Sequence, residues 1–311
     1  MTAPPQGRSL RAALSSGLQF LIGSQASDGH WQDFQLPLGA SDGWVTGYVT
    51  VAMAQSSRLA TDEVMDAACL AVRRGAAWLR LQRHYQVGWG YNERSGADAD
   101  STAWAIRAIR AAGSVVDPAD RDFLISHWDS SGGVRTFLDG PGGWSRAHSE
   151  VTAAAVLAVG PSGADQVRDS LRYSRRIRLA DGSWPAYWWR TTHLATLLHV
   201  QMLVMLGCRT GDERPVVSER QEQQVTGAFD LACVAATAAL STMPTTTIAL
   251  LAQELVNQQS GDGSWDSSPS LRLTDPGSGA PSSPLQGRLY ADQARIYTTA
   301  TAVSALARCL S

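Results

Sequence analysis

The sequence has no lysine; all 26 of its basic residues are arginine. That excludes chemistry through a lysine Schiff base and a phosphate-binding loop built on Gly-Lys-Ser/Thr. Neither charge sign is in excess. The net charge of −2 over 311 residues leaves no electrostatic footprint for a nucleic acid. Cysteine is scarce: Cys69, Cys208, Cys233 and Cys309 lie far apart in apolar stretches, and no Cys-x-x-Cys pair occurs. They read as reduced core thiols of a cytoplasmic protein. Long apolar runs are missing too. None reaches the roughly 20 residues of a membrane span, and Met1–Arg8 lacks the apolar stretch of a signal peptide. No transmembrane segment is expected, while peripheral membrane contact and homo-oligomerisation stay open.

Two acids then stand out, Asp98 and Asp100, in the stretch Gly96-Ala97-Asp98-Ala99-Asp100-Ser101-Thr102-Ala103-Trp104. They fall where a Gly-rich turn gives way to an apolar helix, after the aromatic approach Gly88-Trp89-Gly90-Tyr91. Two crowded carboxyls cannot both ionise freely, so one tends to keep its proton near neutral pH. A neutral carboxylic acid facing an aromatic cavity is what protonation of a carbon–carbon double bond needs. The competing explanation is simpler: either Asp could cap the helix that follows.

Internal repetition decides the architecture. A helix, a Gln and a Gly-x-Trp or Gly-Trp turn recur at Gln25…Asp28-Gly29-His30-Trp31 and Gln82…Gly88-Trp89-Gly90. Further copies are the degenerate Gly132-Gly133, then Asp181-Gly182-Ser183-Trp184 and Gln259…Asp262-Gly263-Ser264-Trp265. After each turn a helix rich in small apolar residues is expected, near 43–56, 99–112, 149–160, 190–206, 226–241 and 291–309. Apolar on every side, these read as buried. Amphipathic helices alternate with them near 8–25, 63–82, 118–128, 163–177, 213–224 and 245–258. The pattern predicts an all-α chain, one domain over 1–311, folded as an α6/α6 double barrel. Strand signals are nearly absent. The Pro- and Ser-rich stretch from Ser260 to Tyr290 reads as one long irregular loop covering a mouth of the ring.

Taken together, these features resemble the class II terpene cyclases of the α/α-toroid superfamily, such as squalene–hopene cyclases and copalyl diphosphate synthases. The Gln…Asp-Gly-x-Trp turns are similar to that family's QW repeats, and Asp98-Ala99-Asp100-Ser101-Thr102-Ala103 to its Asp-x-Asp-Asp-Thr-Ala acid motif. Gly43-Trp44-Val45-Thr46-Gly47-Tyr48 and Ser149-Glu150-Val151-Thr152-Ala153 match two further family segments. The likeness spans the chain but covers a single toroid. It implies that Asp100 is the Brønsted acid and that Asp98 supports it. Two positions depart from the pattern. Ser101 stands where the motif's last Asp belongs, and Ala154 stands where hopene-type enzymes carry a His. Glu150, His148 and His193 are the candidates to replace that His.

A carbocation needs a dry pocket and aromatic faces. The candidates for substrate contact are Trp44, Tyr48, Trp89, Tyr91, Trp104, Trp188, Trp189, His193, Tyr290 and Tyr297. Trp31, Trp184 and Trp265 belong to the turn pattern and read as structural. His193 and His199 are six apart without an acidic or Cys partner at ligand spacing, which favours packing over zinc. The Gly142-Gly143 turn is followed by no Cys, unlike a zinc prenyltransferase, and no Asp-Asp-x-x-Asp signature of class I synthases occurs. No metal site and no cofactor are expected, with Mg2+ arising only if the substrate is a diphosphate. For such a group Arg94, Arg146, Arg190 and Arg288 are candidates. The expected substrate is a linear isoprenoid of sesquiterpenoid size, its diphosphate, or a prenyl tail on another molecule. Two alternatives stand beside this: a non-catalytic isoprenoid- or partner-binding toroid, and an acid-catalysed cyclase of a prenylated non-terpene scaffold.

Overall fold

The computed structural model describes residues 9–83, 87–140, 142–161, 163–208, 225–275 and 287–311. Helices follow the small-apolar and amphipathic patterns closely. Those with one polar face are α1 (Leu10–Gly23), α3 (Asp62–Leu81), α5 (Pro118–Ile125), α7 (Ala164–Ile177) and α10 (Thr245–Asn257). Those buried nearly all round are α2 (Gly43–Ser56), α4 (Ala99–Ala111), α6 (Ser149–Val159), α8 (His193–Met205), α9 (Ala228–Leu240) and α11 (Ile296–Leu310). The helix expected near 213–224 lies outside the described residues.

The buried helices pack in sequence, α2 on α4, α4 on α6, α6 on α8, α8 on α9 and α9 on α11, and α11 returns to α2. The ring is therefore closed. The polar-faced helices pack on it from outside, and α1 also meets α3 and α10.

One set of bonds repeats around this ring. The indole N–H of Trp31, Trp89, Trp184 and Trp265 donates to the carbonyl ten residues earlier, at 2.7, 2.7, 3.0 and 2.7 Å. Each of these ties a turn to the end of the helix before it. The backbone N–H of the same four residues donates to Thr46, Thr102, Thr196 and Thr299, each in the first turn of the next buried helix. Thr152 does the same for Val134. Buried polar groups are thus satisfied where strand pairing is lacking. Gln25 Nε2 donates across to Ala71 O of α3, and Gln259 Nε2 to Ala13 O of α1, both at 2.9 Å. The second bond links the last turn to the first helix.

Close approach also requires glycine. The Cβ of an alanine at Gly263, where φ is +90°, would stand 2.4 Å from Ser16 O, and one at Gly17 would meet Trp265 at 2.9 Å.

Three antiparallel hairpins interrupt the helical pattern: β1 (Asp33–Leu36) with β2 (Gly39–Ser41), β3 (Val134–Arg135) with β4 (Ala147–His148), and β5 (Leu271–Leu273) with β6 (Arg288–Tyr290). At two to four residues each they are too short to produce an alternating pattern. The last pair corrects the expectation of an irregular loop over Ser260–Tyr290. That stretch holds a hairpin, and its residues 276–286 lie outside the described part. The hairpins precede α2, α6 and α11, so they gather at the N-terminal ends of buried helices, where the site lies.

Candidate active site

A cavity of about 480 Å3 opens at that end of the ring. Such a volume lies within the range of about 300–1,000 Å3 that suits a small organic ligand. Its aromatic lining is Trp44, Tyr91, Phe137, Trp144, Trp188 and Trp189, and aliphatic residues come from the turns of β1–β2 and from β5. Asp98, Asp100 and Ser101 reach it from the start of α4.

The two acids differ in what holds them. Asp98 is the N-cap of α4, with Oδ1 accepting from Ser101 N at 2.8 Å and Oδ2 from Ser101 Oγ at 2.7 Å. The capping explanation therefore holds for Asp98. Burial still pushes its carboxyl up to about 6, against the pull of the Ser101 donors. Asp100 lies in the first turn, half-buried, on the cavity wall. Burial holds its pKa well above the usual carboxylate range, and the charges of Asp98 and Glu150 push it the same way. The indoles of Trp44 and Trp104 favour its charged form in part. That assistance is weak from Trp44, whose Nε1 has no acceptor within hydrogen-bond geometry. Positive helix N-termini favour anions. Here burial and two neighbouring carboxylates outweigh that preference and push Asp100 toward its protonated form.

Glu150 stands behind the wall rather than on it. It is buried in the first turn of α6, with Oε1 accepting from Tyr187 N at 2.9 Å and Trp188 N at 2.7 Å. Its Oε2 has no partner. Burial raises its pKa, opposed by those backbone donors and by the charge of Arg272.

Trp44, Tyr91, Trp188 and Trp189 line the cavity as expected of them. Six other candidates do not. Trp89 is one of the turn-tying indoles. Tyr48 and Trp104 border a separate small cavity beside Arg107. Tyr297 lies beneath the floor, stacked on Tyr48, Trp44 and Trp189 at 3.9, 5.0 and 5.5 Å between ring centres. His193 is buried in α8 away from the cavity, and Tyr290 lies on β6 outside its wall. For Tyr48 and Trp104 this reflects depth, since both stand more than a turn into a buried helix, whereas Tyr297 and His193 lie in first turns without lining the cavity.

Neither His148 nor Ala154 gives Asp100 a histidine partner. His148 Nε2 donates to Gly143 O at 2.9 Å, so its Nδ1 accepts from Thr136 Oγ1 at 2.7 Å, and Thr136 in turn accepts from Trp188 Nε1. Burial lowers its pKa to about 4, leaving it neutral. His199 bonds Ser149 and Ser174 and stacks on Trp184, a packed histidine. Among the described residues no group of three or more His, Cys, Asp or Glu is placed to hold a metal.

Sequence reasoning missed Phe137, Trp144 and Arg272. Trp144 and Phe137 flank the Gly140–Gly143 turn, and their rings stack at 5.7 Å. The signal for Arg272 was a lone charge between Leu271 and Leu273. Of the arginines named instead, Arg190 pairs with Asp230 at 3.5 Å, and none of the four lines the cavity.

Solved class II terpene cyclases have this fold. The type II terpene cyclase MstE from Scytonema, in its apo state, is 26% identical with a TM-score of 0.80, over 96% of this chain and 97% of that chain. A protein from Actinoplanes is 28% identical with the same TM-score, over 97% of this chain and 100% of that chain. The ent-copalyl diphosphate synthase from Streptomyces platensis shares the fold at 14% identity and TM-score 0.61, over 86% of this chain and half of that one. No family model and no curated protein matches the sequence.

Proposed function

We propose that this protein is a class II terpene cyclase that protonates the prenyl chain of a small scaffold and closes it into rings. MstE has been solved with geranylgeranyl dihydroxybenzoate as substrate and with merosterolic acid A as product. A prenylated scaffold of that kind, rather than a free linear isoprenoid, is the substrate class favoured here. The single observation that carries the reading is Asp100, on the wall of an aromatic cavity with two acids behind it that keep its proton in place.

The O–H bond of Asp100 breaks as a C–H bond forms at the terminal alkene. The cation left on the more substituted carbon is attacked by the next double bond. The final cation gives a proton to water, which returns one to the Asp100 carboxylate, so the reaction is an isomerisation and product and substrate have equal mass. Asp98 stays ionised, held by Ser101, and its charge keeps Asp100 protonated until an alkene is present. Glu150 adds to that charge. Trp44, Tyr91, Phe137, Trp144, Trp188 and Trp189 offer π faces to the migrating cation, each worth roughly 0.5–2 kcal/mol when water is excluded. No metal is needed for a step begun by a proton. The finer architecture belongs to the same reading: an α6/α6 double barrel forming one domain over 1–311, with turns of the QW type. The closed inner ring and the four indole-to-carbonyl ties support it. The four unpaired cysteines support a cytoplasmic location.

Asp100→Asn tests the assignment. It keeps shape and removes the transferable proton. Asp98 is the other carboxyl on the wall, and its donors hold it as the anion. Turnover of farnesyl or geranylgeranyl dihydroxybenzoate, followed by chromatography and mass spectrometry, should fall at least about 10⁴-fold, the upper end for general acid catalysis. The circular dichroism spectrum should be unchanged. Turnover within tenfold of wild type would remove Asp100 from its role.

A further inference from the structure

Hairpin β5–β6 brings one positive charge to the cavity. Arg272 lines it and is only 4% exposed, between Leu271 and Leu273, which line it too. Its backbone N–H donates to Trp188 O at 2.6 Å, and its Nη2 donates to Arg190 O at 3.0 Å. These bonds fix the strand and one edge of the guanidinium. Nε has no partner. No carboxylate among the described residues lies within 4.0 Å, since Glu150, whose charge is felt here, turns Oε1 to the backbone of Tyr187 and Trp188. A buried guanidinium left without an anion is costly. Its fork of donors matches a carboxylate in geometry and charge.

We propose that Arg272 is the recognition site for a single carboxylate at the head of the substrate, whose prenyl tail lies along the aromatic wall. This rests on the reading of the cavity as a cyclase site. One carboxylate fits better than a diphosphate for two reasons. Arg272 is the sole cationic side chain among the described residues that line the cavity. The charges of Asp98 and Glu150 at the same site would repel a polyanion more strongly than a single carboxylate. The head group thus anchors the scaffold by its charge, while the apolar remainder of the wall accepts the tail.

The test uses three probes with one farnesyl tail: a prenylated hydroxybenzoic acid, its methyl ester, and farnesyl diphosphate. For the wild-type protein, KM for the ester should exceed that for the acid by about 10- to 100-fold, the usual range for a lost charge-assisted hydrogen bond, with kcat changed much less. Arg272→Gln should raise KM for the acid by that factor and leave the ester where it was, so that the preference disappears. Arg272→Lys, which keeps the charge without the fork, should restore part of it. Binding of acid and ester to Asp100→Asn, followed by tryptophan fluorescence, gives the same comparison without turnover. It therefore tests Arg272 even if Asp100→Asn still cyclises and the cyclase reading falls. If Arg272→Gln weakens acid and ester equally, Arg272 serves only to balance Glu150 or to hold β5, and the proposal is overturned. Preference for farnesyl diphosphate over the acid would overturn it as well.

Discussion

Asp98→Asn separates the cost of the acidic pair from its use. Asparagine caps a helix about as well as aspartate, so the bond from Ser101 N survives, while the charge and the bond that Ser101 Oγ donates to Oδ2 are lost. Burial raises the Asp98 carboxyl from 3.8 in the unfolded chain to about 6 in the fold. A carboxyl raised in this way contributes its stability below the unfolded pKa and loses it as pH rises through the folded one. The difference of about two units corresponds to about 3 kcal/mol once both states are ionised. The variant should therefore be more stable than the wild-type protein by about 1 kcal/mol at pH 4.5 and by about 3 kcal/mol at pH 7.5. Relief of the push on Asp100 adds in the same direction. Urea denaturation at the two pH values measures the difference. Activity should move the other way. Without the Asp98 charge the pKa of Asp100 falls, and less of it carries a proton at neutral pH. The alkaline limb of the kcat profile should then shift to lower pH. A stability gap that does not change with pH, or an unmoved alkaline limb, would refute the reasoning.

Other consequences are as direct. Gly75→Ala puts a Cβ 2.5 Å from Thr50 Oγ1 and 2.8 Å from Trp31. Such overpacking should cost about 1–3 kcal/mol in thermal or chemical denaturation while leaving the pH profile of activity unchanged. Trp265→Phe removes the buried indole bond to Leu255 O. It leaves that carbonyl only the longer bond from Gln258 N at 3.3 Å, for a loss of about 0.5–1.5 kcal/mol by the same measurement. Trp144→Leu and Trp188→Leu each take one π face from the cavity. Total turnover should fall by roughly 2- to 30-fold, the equivalent of one cation–π contact, with partly cyclised or hydrated products rising in the chromatogram.

Much of this architecture was legible because it is written locally. The runs Trp44–Met53 and Val151–Val156 are buried on every side, and a helix apolar all round can only be interior. Asp-Gly-x-Trp turns repeat because the copies meet the same demands: an indole N–H tied ten residues back and, at Gly29 and Gly263, a left-handed glycine against the next outer helix. Asp98 and Asp100 could be singled out because two acids at a helix start are locally unusual. Their division of labour came only from the resemblance to the family motif, since physically it depends on Ser101 bonding Asp98 and on Glu150 arriving from a helix fifty residues later.

The cavity wall was a different matter. Trp89 and Trp188 are indistinguishable in composition, yet one ties a turn and the other faces the opening. Tyr48 and Trp104 sit on buried helices as expected, but too deep to reach the cavity, and Tyr297, in a first turn, is covered by Trp44 and Trp189. Phe137, Trp144 and Arg272 come from hairpins of two to four residues whose strands carry no periodic signal. The sequence by itself determined the described helices and that two acids stand at the start of one of them, because propensity, amphipathicity and turn chemistry act over a few residues. Only the tertiary structure decided which aromatics line the cavity and that Arg272 stands among them, because side chains from turns far apart in sequence become one wall only when the ring closes.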